Sequence, residues 1–148
     1  MSNLDNLLYR EYRFKFYLNA NHFVVFNGVQ GDTHPHTWEY SLHILISGDK
    51  FIEYSIFEKA VEEFFAPYQN QILNEVEPFE AIEPTLENQV EYFGSSLRSL
   101  IGELGGVLTS IEASETPTRG YIINYSEEED NKEITRYNKR VQNEMIDT

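Results

Sequence analysis

Between Tyr12 and His22 the chain alternates. Tyr12, Phe14, Phe16, Leu18, Ala20 and His22 share one face, and Arg13, Lys15, Tyr17, Asn19 and Asn21 share the other. Side chains of an extended segment point to opposite sides in turn, so this period predicts a half-buried strand. Residues 23–33 carry turn chemistry at Asn27-Gly28 and Gly31-Asp32. A second strand is predicted from about His34 to Ser47, with Trp38, Tyr40, Leu42, Ile44 and Ile46 on its apolar face, in phase with His34 and His36. The two strands are expected to pair antiparallel across the intervening loop.

The period then changes. Ile56, Phe57, Ala60, Val61, Phe64 and Phe65 recur at helical spacing, and Pro67 is placed to stop that helix. Residues 68–84, with Pro78 and Pro84, show no period and are expected to be irregular. A longer helix follows. Thr85 is its expected N-cap, and Glu87 puts negative charge in the first turn, where the helix dipole favours it. Leu86, Val90, Phe93, Leu97, Leu100, Ile101 and Leu104 form its apolar stripe, and Gly105-Gly106 ends it. Alternation returns from Val107 to Thr116, with Val107, Ile111, Ala113 and Glu115 in phase, and a short strand is predicted at Tyr121–Tyr125 after a turn at Pro117–Gly120. The order strand, strand, helix, helix, strand, strand predicts an α+β domain in which a four-stranded antiparallel sheet carries both helices on one face. From Ser126 the composition shifts to an acidic run, Glu127-Glu128-Glu129-Asp130. The chain is therefore divided into a domain at 1–125 and an acidic C-terminal extension at 126–148. The extension reads either as a solvated tail or as a narrow helical seam of Ile134, Tyr137, Val141 and Met145.

Composition narrows the partners. A chain of 148 residues that is 41% hydrophobic is long enough for one domain with a real core. It has no cysteine, which excludes disulfides, thiolate metal sites and a catalytic thiol. A net charge of −14 opposes binding to phosphate backbones and anionic lipid, so neither nucleic acid nor membrane is an expected partner. Met1–Leu8 has neither the basic start nor the apolar run of a secretion signal, and a cytoplasmic location is expected.

Three of the four histidines fall together in this scheme. His34 and His36 are two apart on one strand, so their imidazoles point to the same side, on the order of 6–7 Å apart. His22 ends the preceding strand on the same apolar face, and antiparallel pairing brings it beside them. Three neutral imidazoles converging from a rigid sheet match a zinc site with one open position, although imidazole also suits copper, nickel and iron. The alternative is a set of satisfied core or loop histidines. His43 has the opposite parity and is given no role.

These residues resemble the zinc motif of the 6-pyruvoyltetrahydropterin synthases and the related 6-carboxytetrahydropterin synthases. The motif here is Ala20-x-His22, then His34-Pro35-His36 followed by Trp38, with Pro35 where the family usually has glycine. Glu53-Tyr54, Leu73-Asn74, Pro84-Thr85-Leu86-Glu87-Asn88 and Glu115-Thr116 with Tyr121 follow in the family's order, so the likeness covers roughly residues 12–125. The resemblance implies the tunnelling fold, a homo-oligomer (trimer or hexamer) with sites between subunits, Zn²⁺ on His22, His34 and His36, and a reduced pterin or purine-like ligand. It also implies that Glu115 anchors the ligand ring, since a carboxylate can accept from the ring's amino group and adjacent N–H together. Read without the family, Glu115 is a surface carboxylate before a turn.

The family's proton-transfer residues are absent. Gln30 stands at the cysteine position, and Gln69 and Asn70 stand where the aspartate and histidine belong. Amides do not titrate near neutral pH and cannot serve as general acid or base. Asp32, in the same loop as Gln30, is the candidate replacement base, its other reading being a turn residue after Gly31. Two functions follow: a zinc-dependent pterin synthase or lyase with a rewired relay, or a non-catalytic relative that binds a pterin, a purine-like ligand or a protein partner.

Overall fold

The computed structural model describes residues 11–46 and 53–125. The acidic extension at 126–148, with its candidate seam, lies outside the described residues. Strand β1 (Tyr12–His22) pairs antiparallel with β4 (His34–Ile46), from Tyr12 opposite Ile44 to His22 opposite His34. Where the sequence predicted only a loop, a small hairpin of β2 (Val25–Phe26) and β3 (Val29–Gln30) stands between them. Its two turn residues, Asn27 (φ 52°) and Gly28 (φ 76°), are both left-handed. Asn-Gly is the pair best able to adopt that geometry, so the turn signal was present but the flanking strands were too short to show a period.

The second half of the chain completes the sheet. Helix α1 (Tyr54–Phe65) ends two residues before Pro67, which sits in a single 3₁₀ turn, Ala66–Tyr68. Helix α2 (Leu86–Glu103) starts at Thr85, whose hydroxyl accepts the Asn88 backbone N–H at 3.2 Å, and ends before Gly105 (φ 92°). Strands β5 (Gly106–Thr116) and β6 (Arg119–Asn124) follow, and the sheet order is β1-β4-β5-β6. Both helices cover one face. Tyr40 on β4 meets Phe65 of α1 at 5.1 Å and Phe93 of α2 at 5.8 Å between ring centroids. Phe93 also packs on Tyr68 and Phe79, so the segment expected to be irregular contributes to the core. Truncating such a buried ring to alanine costs about 3–5 kcal/mol.

One expected face was inverted. Val107 is not in phase with Ile111 and Ala113: it is 50% exposed, while Leu108 is 1% exposed. The β4–β5 pairing slips between His43, opposite Ser110, and Ile44, opposite Leu108, so Thr109 is an extra residue in β5. A bulge of this kind switches the side-chain parity beyond it. Thr109 is buried there, and its hydroxyl donates to the His43 carbonyl at 3.1 Å. Among the described residues, no helix is long and apolar enough to cross a membrane.

Candidate metal centre and ligand cleft

The register of β1 and β4 brings His22, His34 and His36 to one end of the sheet, each offering one ring nitrogen, with these atoms within 4.8 Å of one another. The His22 and His34 Nε2 atoms are 3.0 Å apart. Their other nitrogens are already committed. His22 Nδ1 lies 2.8 Å from the Pro84 carbonyl, and His34 Nδ1 lies 2.9 Å from the Asp32 carbonyl. A carbonyl oxygen only accepts, so both protons sit on Nδ1, and in each neutral ring Nε2 is left with a lone pair. Two lone pairs at that distance repel unless a proton or cation lies between them. Ligand nitrogens around a tetrahedral zinc would lie about 3.3 Å apart, given Zn–N bonds of about 2.0–2.1 Å. The donor set therefore fits a metal ion, and the two carbonyls supply the outer contacts that hold metal-binding imidazoles in place. Burial lowers the His22 pKa from its usual value, opposed by the bond to Pro84 and reinforced by His34 and His36, which favours the neutral, ligating form.

Two clamps position His22. Asn74 accepts from the Phe23 N–H and donates to the Phe23 carbonyl, both at 3.0 Å, pinning the chain one residue past His22. Pro84 is held by the start of α2, where Asn88 Nδ2 donates to the Glu83 carbonyl at 2.9 Å. The Leu73-Asn74 and Pro84–Asn88 segments, legible as motifs, are thus the parts that aim one histidine.

The histidines form one wall of an open cleft of about 500 Å³ that also takes in Glu87, Glu115, Arg119 and Tyr121. The β5–β6 pairing slips between Ser114 and Thr116, leaving Glu115 as the unmatched residue. Glu115 Oε1 accepts from the Trp38 indole at 3.1 Å. Trp38 in turn packs against the rings of His22 (5.0 Å) and His36 (5.1 Å), so Glu115 and these two histidines share one support.

The 6-pyruvoyl tetrahydropterin synthase family matches residues 11–126. The chain belongs to that family. Its sheet and helices are those of the tunnelling fold. Among solved structures, the 6-pyruvoyl tetrahydropterin synthase of Caenorhabditis elegans is similar, with a TM-score of 0.65 at 16% identity over 78% of this chain and 94% of that one. The synthase of Plasmodium falciparum gives 0.56 at 18% identity, covering 77% and 96%. An uncharacterised protein of Wolinella succinogenes gives 0.59 at 15% identity, covering 79% and 98%. At these identities the likeness to solved structures speaks for the fold alone. No curated protein sequence matches this chain.

The residues at the family's relay positions lie away from the cleft wall within this chain. Gln30 ends the exposed hairpin strand β3. Gln69 lies along the outer edge of β1, where its amide accepts from the Asn19 N–H at 2.9 Å and donates to the Tyr17 carbonyl at 2.8 Å. An amide serves both partners, whereas a carboxylate could serve only the first. Asn70, left-handed at φ 61°, donates its backbone N–H to the Asn19 carbonyl. Asp32 is exposed just before β4; its carbonyl meets His34, while its carboxylate is not part of the cleft wall. Sequence reasoning missed the Pro84 carbonyl, Arg119 and the buried Gln89. Only Gln89 left a trace: three residues after Leu86 and four before Phe93, it is a polar residue on the apolar stripe of α2.

Proposed function

We propose that this chain is a zinc protein that binds a reduced pterin in the cleft, with the family's usual proton relay lost. The observation that carries the reading is the convergence of three imidazole nitrogens within 4.8 Å at a cleft whose wall also presents Glu115. Glu115 takes the amino group and neighbouring N–H of the ring through the acceptor sites that the Trp38 indole leaves open. His22, His34 and His36 hold the metal, which when bound acts as a Lewis acid toward oxygen atoms of the ligand's side chain. A purine-like ring with the same amino and N–H edge would suit the same carboxylate. The outer edge of β6, which no other strand covers among the described residues, supports assembly as a homo-oligomer, a trimer or hexamer.

The second reading is an active synthase or lyase in which Asp32 replaces the missing base. Its support is proximity: the Asp32 carbonyl touches His34, so its carboxylate belongs to the turn that enters the metal site. Against it stands the use of Gln69 as a structural amide on β1 rather than as a reactive group.

Incubating the zinc-loaded protein with 7,8-dihydroneopterin triphosphate and separating the pterins by chromatography distinguishes the two. Intact substrate that nonetheless binds supports the first reading. A new pterin that is lost in Asp32→Asn replaces it with the second. Failure of any reduced pterin to bind removes both.

A further inference from the structure

A buried chain of polar groups runs from the middle of the sheet to the metal site. Tyr40 and Gln89 are both fully buried, and His22 nearly so. The Tyr40 hydroxyl donates to Gln89 Oε1 at 2.9 Å, Gln89 Nε2 donates to the Pro84 carbonyl at 3.1 Å, and that same carbonyl accepts from His22 Nδ1 at 2.8 Å. The order of donors is forced. The Pro84 carbonyl only accepts, so the Gln89 amide must turn its NH₂ toward it and its oxygen toward Tyr40. The carbonyl oxygen is then held from two sides.

Burying an amide and a phenol beneath two helices is costly unless every polar atom is matched, and here none of the buried side-chain polar atoms among the described residues lacks a partner. A leucine or methionine at position 89 would continue the apolar stripe of α2 without this requirement. The Gln89 amide ends on an atom that touches a candidate metal ligand.

We propose that Gln89, braced by Tyr40, is a positioning residue for the metal site. It fixes the Pro84 carbonyl, and through it the ring orientation and the Nδ1–H tautomer of His22, so that Nε2 faces His34 and His36. The consequence for metal binding rests on the reading of the three histidines as a metal site; the consequence for the His22 proton does not. Outer contacts to a ligating imidazole typically change metal affinity by about 10–100-fold. Gln89 acts one bond further out, so the expected loss is about tenfold, at the low end of that range.

Gln89→Met keeps the volume and deletes both bonds. Tyr40→Phe keeps the ring packing and deletes only the brace. Zinc affinity of each, measured by competition against a chromophoric chelator, is expected to weaken about tenfold for Gln89→Met and by a smaller factor for Tyr40→Phe. In the metal-free protein, the His22 Nδ1–H proton resonance is expected to exchange slowly with water and to exchange faster in both variants. Unchanged exchange in the variants overturns the proposal, and so does unchanged zinc affinity in folded variants of lower melting temperature. If Gln89→Met does not fold, the Tyr40→Phe result decides. If the unsubstituted protein takes up no zinc, the metal reading fails, and the exchange measurement still decides whether Gln89 positions His22.

Discussion

Replacing Glu115 by glutamine is the substitution that tests the ligand anchor with the least disturbance. Glu115 Oε1 accepts from the Trp38 indole, and a glutamine can keep that bond by turning its oxygen to the same place. Its NH₂ then faces the cleft, where the proposed ligand also presents an amino group and an N–H. One charge-assisted acceptor is exchanged for a donor that faces a donor, and the remaining oxygen loses its charge. Hydrogen bonds to charged groups contribute about 1.5–3 kcal/mol each. Allowing for water and side-chain rearrangement, a net loss of about 2–3 kcal/mol corresponds to roughly 30–150-fold in Kd. Trp38 is the sole tryptophan, so its fluorescence reports on this site alone. Titration of the zinc-loaded protein with 7,8-dihydroneopterin gives the affinity, and metal analysis confirms that Glu115→Gln retains zinc. A variant that is folded, zinc-loaded and still binds within about threefold of the unsubstituted protein would refute the anchor role.

Removing one imidazole should remove the metal: His34→Ala is expected to lose zinc on gel filtration, and retained zinc by metal analysis would eliminate the site as drawn. Stability should fall in alkali. Burial, with Tyr92 and Glu77 nearby, pushes the Tyr68 phenol up to about 12, and burial raises Tyr40 as well. These phenols keep their protons in the folded state after the unfolded chain has lost them near the ordinary value of 10. Their contribution is thus complete below about pH 10 and declines as the pH rises toward 12. Denaturant midpoints that stay flat from pH 9 to about 11.5 would contradict this. Deletion of residues 126–148 should leave the oligomer and zinc content unchanged if the acidic extension only contacts partners; dissociation on gel filtration would assign it to assembly.

The sequence by itself determined the long elements and the grouping of the three histidines. Period-two alternation specified β1 and β4 nearly to the residue, and because strand parity is a local property, it also put His22, His34 and His36 on one face. The helix signals at Pro67, Thr85 and Gly105 were likewise local, and each acts in the structure at the place it marks. Tertiary structure decided what depends on pairing between strands. The bulge at Thr109 inverted the face of Val107, and the slip after Ser114 left Glu115 unmatched at the cleft; both arise from register against a neighbour, which no single-strand pattern contains. It also decided the backbone contacts. The Pro84 carbonyl reaches His22 across 62 residues, and a carbonyl is the same atom in every residue type, so its role becomes visible only where the chain folds back. The Gln69 amide on β1 has the same origin: the sequence marked a lost carboxylate, and the fold supplied the edge strand that the amide satisfies.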